Sequence, residues 1–186
     1  MTATTTTFKD SKIKTLVYGA LCIALSFALS YVKLFSMPFG GSVTLCSMLP
    51  ILFYSYRFGV PAGILAGVAY GILQFIQEPY IYHWVQVILD YPLAFALLGL
   101  AGIMRNRSDL YAGSAWRLPV GMGIGCAGRL LCHVLSGVIF FAEYAPVGMN
   151  PWWYSLLYNG GYLGMDLLIC LVVVSIPPVR KALLRL

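Results

Sequence analysis

Four ionisable side chains, Asp90, Arg129, His133 and Asp166, lie inside stretches otherwise built from aliphatic, aromatic and small residues. Each costs roughly 2.5–3.5 kcal/mol to place in such surroundings unless something satisfies it, so each is a candidate for function. Asp90 stands two positions before Pro92, whose ring removes a backbone donor and loosens a helix there. Arg129 and His133 are one helical turn apart, and Gly137 and Phe141 continue the same face at four-residue steps. Tyr154, Tyr158 and Asn159 fall in the first turns of the last long apolar run, with Asp166 deeper in it. These residues read in two ways. Asp90 and Arg129 could be a buried ion pair that ties two helices together. Alternatively, with His133 and Phe141, they could form one wall of a ligand pocket.

Catalytic readings fare poorly. The chain has no HExxH, GxSxG, P-loop or glycine-rich dinucleotide turn. Its two histidines are fifty positions apart, so a zinc site would need carboxylates for most of its ligands. No metal site is expected. The five cysteines (Cys22, Cys46, Cys126, Cys132 and Cys170) lie in apolar runs without CxxC spacing and read as small buried hydrophobes. A channel would want a polar stripe running through, whereas the polar groups gather toward one half of the runs. No inverted repeat or coupling-ion constellation marks a self-sufficient transporter. A membrane receptor with one outward pocket and no engine of its own fits what remains.

The elements that must hold these residues are membrane helices. The chain is 60% hydrophobic and 10% charged, with a mean hydropathy of +0.84, well outside the soluble range. Apolar runs extend from Ile13 to Val32, Thr44 to Tyr56, Pro61 to Ile76, Ile81 to Met104, Leu118 to Phe141, and from Pro151 to just before Pro177. With six crossings, all but Lys33 and Arg129 of the twelve basic residues flank these runs on the side of the amino terminus. The positive-inside bias makes that side cytoplasmic. The expected architecture is an all-α membrane protein of the cell membrane, a multi-pass six-helix bundle with both termini cytoplasmic and a ligand pocket near the outer face. Residues 1–12 are expected to be a disordered cytoplasmic tail and 13–186 a single transmembrane domain. The first run is too long for a removed signal peptide and lacks a small-residue cleavage site. The net charge of +6 is spread along the inner flanks, where it serves orientation and anionic lipid headgroups rather than nucleic acid.

Local signals mark the helix ends. Asn150–Pro151 is an N-cap followed by proline at the first helical position, Pro61 opens the third helix after Gly59, and Arg117-Leu118-Pro119 opens the fifth. Gly63, Gly67 and Gly71 form a ridge that lets another helix approach closely. Ala20, Ala24 and Ala28 give the first helix a similar stripe, suited either to packing or to docking a partner. The outer loops (Lys33–Ser42, Gln77–His83 and Ala142–Asn150) mix aromatics with glycine, proline and hydrogen-bonding groups. Much of that aromatic content is the belt expected at a membrane boundary, but the mixture also suits a lid over an external pocket.

Four stretches then become recognisable: Ser36-Met-Pro-Phe-Gly-Gly-Ser-Val43, Gln86-Val-Ile-Leu-Asp-Tyr-Pro-Leu-Ala-Phe95, Arg129-Leu-Leu-Cys-His-Val-Leu-Ser-Gly-Val-Ile-Phe-Phe141 and Trp153-Tyr-Ser-Leu-Leu-Tyr-Asn159. In order and together, they resemble the ThiT family, the thiamin-specific S components of energy-coupling-factor (ECF) transporters. The resemblance covers nearly the whole chain. It implies high-affinity thiamin uptake, with no cofactor, by an S component that associates with a transmembrane T component and two cytoplasmic ATPase subunits. It places the binding carboxylate on Asp90, followed by a pocket tyrosine at Tyr91. The basic residue of the fifth helix falls on Arg129 and the histidine on His133. Gly137 takes the place where backbone approaches ligand, and Phe141 that of a stacking aromatic. Tyr154, Asn159, Tyr80 and Gln86 match further lining positions, and Ala20 and Ala24 match the motif that docks the T component. Two departures stand out. Asp90 replaces the glutamate common in relatives, and the first outer loop lacks the tryptophan that closes the pocket in some, leaving Phe35, Met37 or Phe39 for that role, with Phe39 the candidate lining residue.

The ligand so implied has a matching chemistry. Thiamin joins a permanent thiazolium cation to an aminopyrimidine. The cation calls for a counter-charge, here Asp90, and for π-faces, here Phe141, His133 and the tyrosines. The pyrimidine edge offers donors and acceptors suited to Asn159, Tyr154 and Asp90. A neutral His133 fits best, because another cation beside thiazolium and Arg129 would be repelled. Rival readings are an S component for another vitamin or a thiamin precursor, and a small membrane enzyme.

Overall fold

A computed structural model describes residues 12–38, 40–105 and 116–185. The expected tail therefore lies outside the described residues except for Lys12, which is the first residue of α1 (Lys12–Ser30). A short antiparallel hairpin follows, β1 (Lys33–Ser36) and β2 (Ser42–Thr44), then α2 (Leu49–Phe58) and α3 (Val60–Gln77). The fourth span, α4, covers Trp84–Met104. Beyond it come α5 (Arg117–Phe140), α6 (Pro151–Ser175) and a short amphipathic α7 (Pro177–Arg185).

Five of these helices (α1, α3, α4, α5 and α6) are long and apolar enough to cross a bilayer. α2 is not. Its ten residues rise only about 15 Å, against a hydrocarbon core of about 30 Å. The expectation of a helix from Thr44 is corrected here. Thr44 belongs to β2, Cys46 takes a left-handed backbone (φ 59°), and helical winding begins only at Leu49, with Pro50 in its first turn. The chain is thus not purely helical, because the first outer loop is a β-hairpin. α2 makes up for its shortness by position: Leu49 through Tyr56 are all buried, with Ile51 and Leu52 fully enclosed at the centre of the core.

α4 is the irregular element. Regular α-helix at Trp84–Ile88 widens to a π-helical turn over Leu89–Leu93, recovers at Ala94–Ala96 and tightens to a 3-10 helix over Leu97–Met104. Pro92 sits inside the widened turn. A residue without an N–H cannot keep the ladder in register, and one extra residue per turn absorbs the defect. Asp90 and Tyr91 lie in that turn. The glycine ridge of α3 lies against this same helix: a Cβ on Gly67 would land on the Phe95 carbonyl, and one on Gly71 would come within 2.6 Å of the Tyr91 carbonyl oxygen. The ridge is an intramolecular seam, and it pins the distorted part of α4 backbone to backbone.

The α1 stripe behaves differently. Only Gly19, Ser26 and Ser30 of α1 are buried. Ala20, Ala24 and Ala28 are exposed beside Leu16, Val17, Leu21 and Leu25, so the stripe faces away from the bundle. At the other end of the chain, Asn150 caps α6 as expected, its Oδ1 accepting from the Trp152 N–H at 2.9 Å.

Candidate functional site

A cavity of about 580 Å³ opens among the β1–β2 turn, the ends of α3, α4, α5 and α6, and the loop after α3. Ten of the eleven candidate lining residues border it: Tyr80, Gln86, Asp90, Tyr91, Arg129, His133, Gly137, Phe141, Tyr154 and Asn159. Phe39 lies outside the described residues. Of the other first-loop aromatic and sulfur side chains, Phe35 is exposed and Met37 packs on the core, and neither lines the cavity.

Asp90 is the focus. Its Oδ2 accepts from Gln86 Nε2 and from Ser136 Oγ, both at 2.8 Å, and its Oδ1 lies 3.0 Å from His133 Nδ1. Arg129 does not reach it directly. Instead, Arg129 Nε donates to His133 Nε2 at 3.3 Å, and the guanidinium sits 4.0 Å from the centre of the Phe95 ring. Of the two readings open from the sequence, the direct Asp90–Arg129 pair is not made, and a relay with histidine stands between the two charges. The reason is geometric: Arg129 is a turn further from the pocket mouth than His133, and Phe95, one turn below Tyr91, holds its guanidinium there. Since Nε2 must accept, the imidazole proton is on Nδ1 and points at Asp90.

The remaining polar groups hold the walls together. Gln86, almost fully buried, takes the Tyr82 N–H on Oε1 and gives Nε2 to the Tyr80 carbonyl as well as to Asp90. The Tyr91 hydroxyl accepts from the Tyr80 N–H and donates to the Glu78 carbonyl, so it fixes the same loop from the other side. Asn159 ties α6 to α5: Nδ2 reaches the Ser155 carbonyl at 2.9 Å and the His133 carbonyl at 3.4 Å, and Oδ1 accepts from Tyr162. Gly137 permits this closeness, because a Cβ there would fall on Ser155 Oγ. Asp166, buried at the floor, accepts from both the N–H and the hydroxyl of Thr44, which roots the hairpin on α6. At the mouth the turn is glycine by necessity: Gly41 has φ +88°, and a Cβ on it would come within 2.7 Å of the Tyr162 ring. Tyr158 donates to the Gly40 carbonyl, and Lys33 pairs with Glu78 across to the next loop.

Aromatic rings line two sides. Phe141 lies 5.8 Å from Tyr80, 5.4 Å from Tyr82 and 6.1 Å from Tyr144, centre to centre. On α6, Tyr154, Tyr158 and Tyr162 form a ladder with spacings of 5.9 and 6.4 Å, and Tyr162 meets His133 edge-on. In the outer loop, burial and then the neighbouring Tyr144 push the Tyr80 hydroxyl above its ordinary value, so it stays a neutral phenol. Tyr144, Tyr162, Ser136 and Phe95 are lining residues that the sequence did not single out, and Tyr158 and Asp166, marked there only as polar groups of the last span, line the cavity as well. For Tyr158 and Tyr162 a signal was present, namely four-residue spacing from Tyr154. Ser136 carried none, because a serine among helix small residues is ordinary.

Residues 16–185 match the family described as thiamine transporter protein. The chain belongs to the thiamine transporter family. It is 38% identical over 148 residues to the thiamine transporter ThiT of Bacillus subtilis, covering 76% of this chain and 77% of that relative. It is 32% identical over 140 residues to ThiT of Lacticaseibacillus paracasei, covering 69% of each. The solved structure of ThiT from Listeria monocytogenes superposes with a TM-score of 0.78 at 27% identity, over 92% of this chain and 97% of that one. As a member of this family, the protein is a multi-pass membrane protein of a transport system and not an enzyme.

Proposed function

We propose that the cavity binds thiamin from the outer side and that this chain is the S component of an ECF transporter, working with a T component and two ATPase subunits that supply the energy. One observation carries the ligand reading. Asp90 faces the cavity with only neutral donors on it among the described residues (Gln86, Ser136 and the His133 Nδ1–H). Its charge is therefore available to a cation. A formal count agrees: the lining holds Asp90, Asp166 and Glu78 against Arg129, and Lys33 outside the lining cancels Glu78, leaving one negative charge. Thiazolium supplies one permanent positive charge, and the rings around Phe141 and along α6 give it and the pyrimidine π-faces. Tyr154 and the free acceptor capacity of Asn159 Oδ1 suit the pyrimidine edge.

In the bilayer we place six crossings, with both termini in the cytoplasm and the pocket near the outer face. The short α2 is compatible with this. Thr44 meets Asp166, fifteen residues into α6 and so about 22 Å along it. The hairpin therefore carries the chain deep into the bundle before α2 completes the passage. Ala20 and Ala24, exposed on α1, are the surface we assign to the T component.

Calorimetric titration of the purified protein tests the ligand assignment. Thiamin should bind at nanomolar concentration, while riboflavin, biotin and the isolated aminopyrimidine should bind at least a thousandfold more weakly. None of the four tryptophans is among the cavity-lining residues, so intrinsic fluorescence is a poor reporter. A Phe141→Trp variant would place one in the aromatic wall. Thiamin binding no tighter than riboflavin binding would overturn the assignment.

A further inference from the structure

We infer that Arg129 is a positioning residue whose task is to occupy His133 Nε2, so that His133 holds a single proton, on Nδ1, and Asp90 keeps its negative charge for the ligand cation. This deepens the thiamin reading and rests on it for the ligand, although the relay itself is a property of the ligand-free protein.

An imidazole beside a carboxylate normally gains by taking a second proton, because the resulting imidazolium–carboxylate pair is attractive. In this pocket that pair would be self-defeating: the carboxylate meant for thiazolium would already be neutralised, and a cationic ring would stand where the ligand cation must sit. Burial of the ring already opposes that second proton, and the Arg129 Nε–H, 3.3 Å from Nε2, adds to the opposition in two ways. It needs the Nε2 lone pair, and its own charge opposes another on the ring. Phe95, 4.0 Å from the guanidinium carbon, keeps the planar group in place from α4. The ring is faced by Asp90 from α4, Arg129 from α5 and Tyr162 from α6. Arginine suits the role because Nε, close to the stem, donates in the guanidinium plane.

The test compares affinity ratios across pH, which a purely structural contribution of Arg129 would not change. Thiamin titrations at pH 8 and pH 6 bracket the ordinary imidazole range near ~6.5. The wild-type protein should change by less than about threefold between them, and running it in parallel cancels the ligand's own titration. Arg129→Met, which has no donor for Nε2, should weaken by about tenfold more on going from pH 8 to pH 6, whatever its affinity at pH 8. Arg129→Lys, which keeps a donor and a charge, should restore most of the flat profile. A ratio for Arg129→Met equal to the wild type overturns the inference. Nitrogen-15 NMR of histidine-labelled, ligand-free protein reads the relay without thiamin. His133 should show the Nδ1–H neutral signature at both pH values in the wild type and a doubly protonated ring at pH 6 in Arg129→Met. A doubly protonated His133 in the wild type at pH 6 likewise refutes it. If instead the NMR signatures hold but no variant binds thiamin at either pH, the ligand assignment fails and the relay stands.

Discussion

Asp90 can lose its charge with almost no change of shape, because Asp90→Asn keeps an oxygen for the Gln86 or Ser136 donor. Losing one partner of a desolvated charge interaction costs on the order of 2–5 kcal/mol, so thiamin affinity should drop at least ~30-fold. An unchanged titration in a folded Asp90→Asn protein would remove the counter-charge from the account. Phe141 tests the other half of the ligand. It touches Tyr80, Tyr82 and Tyr144 rather than the buried core. Phe141→Ala should therefore cost binding about 2 kcal/mol, roughly 30-fold. Phe141→Trp should bind at least as well as the wild type, because it offers a larger face. Equal weakening by both would mean that the ring serves only to hold the loop. At this scale ten of the eleven candidate residues share one cavity, while a direct Asp90–Arg129 contact, one of the two readings open from the sequence, is not made. Asp90 and Arg129 are opposite charges in neighbouring helices, and pairing them is the natural guess. Only the three-dimensional offset, with His133 at the nearer turn and Phe95 under the guanidinium, makes the relay.

Among the elements, α3 and α4 form the seam on which the site depends, because the residues that grip each other there are the backbone of Gly67 and Gly71 and the carbonyls of Phe95 and Tyr91. Gly67→Ala would force the helices apart just below the turn that carries Asp90. Overpacking of this kind costs about 1–3 kcal/mol, so thermal unfolding in detergent should shift down by several degrees. Gly161→Ala on α6, where a Cβ meets nothing within 4 Å, is the matched control and should be neutral or stabilising. Indistinguishable midpoints for the two variants would contradict the seam. This glycine ridge, the Asn150 cap and the loosening at Pro92 could all be read from the sequence, because each depends on a few neighbouring residues. The β-hairpin could not. Its strands are four and three residues long with no alternating pattern to announce them, and what holds them in place is a bond from Thr44 to Asp166, more than a hundred positions away. The same hairpin shortens α2, which is why an apolar run starting at Thr44 looked like a full helix.

For the whole molecule, the question is how a pocket on one side of the bundle and an exposed stripe on another divide the work. Ala20 and Ala24 are exposed on α1 and absent from the cavity lining. An alanine stripe on a membrane helix gains its value from close backbone approach by a second helix, which bulky side chains prevent. Replacing both alanines with tryptophan should therefore leave thiamin affinity of the isolated protein within about twofold of the wild type. If the proposed assembly with a T component and ATPase subunits holds, the same double variant should abolish thiamin uptake by cells and co-purification with those subunits. Since both positions already face outward, the substitution adds bulk outside the fold and should not lower the unfolding midpoint. Weakened ligand binding would show that the stripe supports the bundle. Retained uptake would show that the partner grips another helix, and the assignment of α1 as the docking surface should then be abandoned.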